Sequence, residues 1–181
     1  MFRNFGQTVA LKFFKFKFSL RRHKDVINIF EFLQKASKVL ICAPEEPEAF
    51  NAFLHTLIRF KDSFPKAKIT LFKNSSLPLT GYIPGSIKII EYNNKQISVF
   101  GSAKKVLNGI QDRSFDVAID ANHSFQFVHT SLVMVSKAKL RVCFGHSKRE
   151  DLYNFIIRLE PNQSYANSYN ILLRYLGATS Y

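Results

Sequence analysis

From residue 38 onward, short apolar runs alternate with segments whose apolar residues recur at helical spacing, and that alternation admits few folds. It is what a parallel sheet with crossover helices requires. The runs at 38–43, 67–72, 86–92, 115–120, 140–144 and 155–159 read as strands. Between the first two, Phe50, Phe53, Leu54, Leu57 and Ile58 fall at i, i+3, i+4, i+7 and i+8, which predicts one apolar stripe on a helix, and Pro65 punctuates its exit. Two further stripes, Ala103, Val106, Leu107, Ile110 and Phe125, Val128, Leu132, Val135, predict helices that cover the sheet. A last helix carries Tyr165, Tyr169, Leu172, Leu173 and Leu176 on one face, and Gly177 stands where a left-handed cap would stop it. The expected fold class is therefore α/β, a single Rossmann-like, doubly wound and mostly parallel sheet.

A chain of 181 residues is close to the usual size of one domain. The expected division is a leader with a short helix at 1–37 and the α/β domain at 38–181. In the short helix, Asp25 is the expected cap, with Val26, Ile29, Phe30 and Leu33 facing inward. The proline- and glycine-containing stretch 74–85 reads as an ordered loop. Phenylalanine is abundant at 19 and tryptophan absent, so Phe supplies much of the core. Cys42 and Cys143, the two cysteines, lie in strand-like runs and read as reduced core thiols, which points to a cytoplasmic compartment. The ligand spacing of a metal site is missing, His123 and His129 being on different helical faces, so no metal and no cofactor is expected.

Charge is distributed unevenly. Within residues 1–24 there are seven basic side chains and no acid, more than half of the net excess of +13. If that leader is helical, Val9, Phe13, Phe16 and Leu20 share one face while Lys12, Lys15, Ser19 and Arg22 share the other, the pattern of an interfacial helix. Phe13, Phe16, Lys12, Lys15 and Arg22 are then the expected contacts to an anionic membrane surface, with the protein peripheral on the inner face of the cytoplasmic membrane. Lysines interrupt every long apolar run, so neither a membrane span nor a secretory signal is expected.

Ligands of open parallel sheets gather at the carboxyl ends of the strands, so functional residues are sought after Ala43, Asp120 and Phe144. The first turn, Pro44-Glu45-Glu46-Pro47-Glu48-Ala49, offers three carboxylates and no glycine where a dinucleotide fold would present backbone amides to phosphate. Two readings stand: acids that complement a helix dipole, or Glu48 as a general base for a sugar hydroxyl. After the fourth strand, Asp120, Asn122, His123 and, farther on, Gln126 bring a carboxylate, amides and an imidazole together, suited either to anchoring the loop, with Asn122 or Ser124 capping the next helix, or to recognising a saccharide. After the fifth, Gly145-His146-Ser147-Lys148-Arg149 is either a solvated basic loop or a holder of an acceptor phosphate through His146, Lys148 and Arg149.

Phe115-Asp116-Val117-Ala118-Ile119-Asp120, then Arg141-Val142-Cys143-Phe144-Gly145, then Leu152-Tyr153-Asn154 follow one another as in the amino-terminal half of bacterial heptosyltransferases, and the chain resembles family 9 glycosyltransferases from about residue 38 to 177. That resemblance implies one half of a GT-B architecture: the half that binds a lipid-linked saccharide acceptor, a second Rossmann-like half holding the nucleotide sugar. It also implies a place in lipopolysaccharide or cell-envelope glycan assembly. Where the family has Gly-Asp, with Asp taken as the base, this chain has Glu48-Ala49; where it has a glycine and a basic residue after the fourth strand, this chain has His123 and Gln126. With no donor half after Tyr181, the expectation is a protein incomplete or inactive alone, or served by a separate nucleotide-sugar-binding subunit. The alternative is a non-enzymatic anion-binding module whose basic leader contacts anionic lipid or nucleic acid. Nothing in the chain resembles a nucleic-acid-reading motif, and the Phe-rich leader favours lipid. A flavodoxin-like small-molecule enzyme is a third reading, disfavoured by the acidic first turn.

Overall fold

The computed structural model describes residues 28–80, 83–97 and 114–177, together with Thr8, Leu11, Lys12 and Lys15 of the leader. Six strands run β1 Lys38–Cys42, β2 Lys68–Asn74, β3 Ile87–Tyr92, β4 Val117–Asp120, β5 Leu140–Phe144 and β6 Phe155–Ile157. They form one sheet in the order β3-β2-β1-β4-β5-β6, and every neighbouring pair is parallel. This is a Rossmann-like α/β fold. Its strand order reverses between β1 and β4, so their carboxyl ends open the crevice where such sheets take ligands.

Alternation along the strands sorts the core into two layers. Val39 and Ile41 of β1, with Val117 and Ile119 of β4, face α2 (Pro47–Leu57) and α5 (Tyr165–Tyr175), whose Phe50, Phe53, Leu57, Tyr169, Leu172 and Leu173 are buried against them. Leu40, Cys42, Ala118 and Cys143 face the opposite way, under Leu132, Val133 and Met134 of α4 (Phe127–Val135). Both cysteines are buried and free, and burial pushes the Cys143 thiol up to about 12. At the amino edge, the Asp116 carboxylate accepts from the backbone of Ser37 and Lys38 at 2.8 and 3.0 Å, tying the start of β4 to the start of β1.

The helices begin and end where local chemistry dictates. Pro47 opens α2, where its missing N–H costs nothing, and Glu48 sits in the first turn. The helix stops at Leu57, so Ile58, expected on the buried stripe, is 49% exposed; a one-turn helix α3 (Phe60–Ser63), unforeseen from spacing, buries Phe60 instead. Asn28, not Asp25, caps α1 (Ile29–Lys35), its side chain accepting from Glu31 N–H. Asp25 lies outside the described residues, as does the expected helix at 103–110. Leu33 of α1 is buried as expected, whereas Phe30 is 65% exposed, its ring turned to the end of α5.

Ser164 caps α5, accepting from Asn167 N–H at 3.3 Å. Gly177 follows that helix at φ +82°, the left-handed region predicted for it. In the leader, Leu11 packs on the α4 layer and Lys15 Nζ lies 2.8 Å from Asp151, so Lys15 faces the protein's own surface; Phe13, Phe16 and Arg22 lie outside the described residues. Among the described residues, no helix is long and apolar enough to cross a membrane.

A Cβ at Gly177 would meet only the Phe30 ring, at 3.5 Å, so backbone conformation alone opposes a side chain there. Gly177→Ala is expected to lower unfolding stability by about 1–2 kcal/mol in urea titrations, and Gly177→Asn by less.

Candidate functional site at the carboxyl edge of the sheet

The last residue of β4, Asp120, is 1% exposed, and a carboxylate at that depth must be matched. Its Oδ2 accepts from Arg149 Nη1 and from the Tyr153 hydroxyl, each at 2.9 Å. Oδ1 accepts from the Asn122 side-chain amide at 2.8 Å and from Asn122 N–H at 3.2 Å. Arg149, itself 0% exposed, sends its remaining N–H groups to the carbonyls of Phe144, Asn122 and Ser124. All five guanidinium hydrogens are therefore occupied. Burial works against the Arg149 charge, and the adjacent Asp120 carboxylate more than restores it, holding the group above its usual range. Burial also pushes the Tyr153 phenol well up, so it remains a donor.

Asn122 carries this network across the topological switch. Its side-chain oxygen accepts from Glu45 N–H at 2.9 Å, and its amide reaches Ala43 O at 3.3 Å and His129 Nδ1 at 2.6 Å. The turns after β1 and β4 are thereby clamped together. On the far side of the His129 ring, Nε2 lies 2.9 Å from the Tyr92 hydroxyl and 3.3 Å from Glu45 Oε1. A carboxylate only accepts, so the hydrogen belongs on Nε2 and the Nδ1 lone pair receives the Asn122 amide. Burial holds the His129 pKa down, the more so because Arg149 is near, against Asp120 and Glu45.

His123 stands apart on the other face of the edge. Its ring stacks on Phe144 at 4.6 Å and meets the edges of Tyr165 and Tyr169 at 4.9 and 5.4 Å. Burial, then Arg149, lower its pKa to about 4, so it is a neutral imidazole. Beside it the Glu46 carboxylate pushes the Tyr165 phenol above its usual range, and Glu48 is exposed on the first turn of α2. A cleft of about 280 Å³ opens between His123, Phe144, Gly145, Glu150, Arg158 and Leu159. A larger hollow of about 410 Å³ runs along β6, lined by Phe155, Ile156, Ile157, Arg158 and Tyr175, and shares Arg158 with the cleft.

The residues singled out from sequence therefore divide. Asp120, Asn122 and Arg149 meet in one buried network; Asp120 and Arg149, expected to touch an acceptor, are turned inward with no lone pair or N–H to spare, and they shape the crevice from beneath. Nor does Asn122 or Ser124 cap α4, which starts after Gln126 without a side-chain cap. Gln126 bonds Ser124 Oγ at 3.3 Å. His146 and Lys148 lie against Phe125, the Lys148 ammonium 5.9 Å from its ring centroid. Glu45 entered only as one of three acids and His129 only as a rejected metal ligand, while Tyr153 and Tyr165 were given no part in the site. Their signal was the polar run His129-Thr130-Ser131 within an otherwise apolar helix, which demands buried partners. Among the described residues, no group of three or more His, Cys, Asp or Glu is placed to hold a metal.

Fold and edge together define a Rossmann-like α/β domain. The crystal structure of a family 9 glycosyltransferase from Veillonella parvula matches with a TM-score of 0.66 at 16% sequence identity, a likeness of fold. The match covers 84% of this chain and 44% of that one, so the chain spans less than half the length of that glycosyltransferase. Residues 10–178 match the family described as "Family of unknown function (DUF6913)", and the chain belongs to it. No curated protein matches the sequence.

Two outcomes follow from this geometry. Arg149→Met strands a buried carboxylate and is expected to cost about 3–5 kcal/mol in denaturant unfolding, while Asp120→Asn combined with Arg149→Met costs less than the sum of the single changes. Buried His129 and half-buried His123 both have folded pKa values below the ordinary 6.5, so the unfolded chain binds more protons in acid. Stability is then fully present above about pH 6.5 and falls as the pH drops, for His123 until its folded pKa of about 4 is passed. His123→Phe is expected to flatten that slope, measured by thermal melts from neutral to acidic buffer.

Proposed function

We propose that this protein is a glycosyltransferase-like saccharide-binding protein that handles the acceptor side of glycan transfer. The observation that carries the reading is the turn after β1. It lies at the switch point, and its Glu45 N–H, which could have met a phosphate, is already donated to Asn122. Carboxylates of Glu45, Glu46 and Glu48 surround it, a setting that repels nucleotide phosphates and suits the hydroxyl groups of a sugar. The nucleotide sugar is then held by a second Rossmann-like unit. Glu48, exposed at the mouth, is the candidate base for the acceptor hydroxyl.

The acceptor in this reading is a glycolipid or saccharide of the cell envelope, of the lipopolysaccharide kind, met at the inner face of the cytoplasmic membrane. The basic leader supports that address, since clustered Lys and Arg beside apolar side chains favour anionic lipid. Lys15 is partly committed to Asp151, which leaves Lys12 and Arg22 as the principal lipid-facing cations proposed.

Flotation with vesicles containing anionic lipid is expected to carry the protein up at low salt and to lose it as salt rises, while zwitterionic vesicles leave it behind. Tight binding to duplex DNA without vesicle binding would instead favour the non-enzymatic nucleic-acid reading. Incubation of the purified chain with a nucleotide sugar and an envelope oligosaccharide is expected to give no transfer until a donor-binding subunit is added. Glu48→Gln then abolishes the restored activity, whereas transfer by the chain alone overturns the need for a partner.

A further inference from the structure

The loop after β5 reads either as a solvated basic loop or as a holder of phosphate, yet one of its cations, Arg149, is sealed inside the protein. We propose that the cleft between this loop and β6 instead binds an uncharged, hydroxyl-bearing ligand face, with the bare Nε2 of His123 accepting a hydrogen bond from a ligand hydroxyl. The inference rests on the saccharide reading above and narrows it to one cleft and one kind of group.

The tautomer of His123 follows from its neighbour. The single Tyr169 hydroxyl hydrogen is donated to Ala121 O at 3.1 Å, so at the 3.4 Å approach to His123 Nδ1 the phenol oxygen can only accept. Nδ1 therefore carries the imidazole hydrogen, and Nε2 is a lone pair. That nitrogen is buried and has no hydrogen-bond partner. A polar atom left so in a folded protein is costly unless a ligand satisfies it.

The walls select against charge. Arg158 is paired with Glu150 at 3.1 Å, the two charges opposing each other, and the His123 imidazole that lines the same cleft is neutral. A phosphate entering the cleft would sit beside the Glu150 carboxylate, which repels it. A hydroxyl can both donate to Nε2 and meet either partner of a surface pair that parts readily. The cleft also depends on Gly145: a Cβ there would lie 3.3 Å from Arg158 Cγ and 3.5 Å from Glu150 Oε1, filling the gap between loop and strand.

Histidine-selective nitrogen NMR of the full chain, titrated with methyl glycosides of neutral hexoses and, separately, with inorganic phosphate, tests this directly. The glycosides are expected to shift the His123 Nε2 resonance saturably from a bare toward a hydrogen-bonded position, with phosphate leaving it unmoved. Gly145→Ala, checked as folded by its amide spectrum, is expected to weaken glycoside binding at least about 10-fold. His123→Phe, which keeps the stack on Phe144, should weaken it similarly. Glycoside binding that shifts amides elsewhere on the edge but not His123 overturns this cleft and leaves the saccharide reading standing. Absence of any glycoside binding overturns both, and a His123 shift produced by phosphate overturns the preference for an uncharged group.

Discussion

A carboxylate and a guanidinium closed off from solvent lie where β4 ends, and the carboxyl edge is arranged to satisfy them. Separating such a pair from water is expensive, and the expense is recovered only when every remaining donor and acceptor is met. Here Asp120 and Arg149 achieve that by recruiting groups from distant segments: Tyr153, the Asn122 amide, and the carbonyls of Phe144, Asn122 and Ser124. Because those carbonyls belong to the turns after β4 and β5, matching the charges also fixes the shape of both turns. Asn122 extends the constraint to the turn after β1.

Much of the fold was legible because burial against a sheet imposes periodicities. Strands such as 140–144 emerged from short, mostly apolar runs, and the stripe from Tyr165 to Leu176 announced α5, with Gly177 past its end. Ile58 misled because spacing cannot say where a helix stops; one residue beyond Leu57, the same stripe faces solvent. Asn28 could not be preferred over Asp25 as a cap, since both residue types suit that place.

The crevice was legible in position but not in polarity. Strand order put Asp120, Asn122 and His123 at its mouth, as their place after an apolar run implied. Whether each side chain points out or in depends on partners dozens of residues away, and local pattern carries no such information. Arg149 follows Lys148 directly, and nothing in that dipeptide distinguishes the exposed cation from the buried one. His129 was passed over because it was weighed as a metal ligand against His123; its true neighbours, Tyr92 and Asn122, arrive from β3 and the β4 turn.

The short turn Glu150–Leu152 places consecutive carboxylates in unlike company. Glu150 forms part of the wall beside Gly145, while Asp151 grips Lys15 of the leader. Lys15 is thus held one peptide unit from a rim of the crevice, so ionic strength that slackens this pair acts at the site's own border. Anything that draws the leader toward another surface pulls on the same joint.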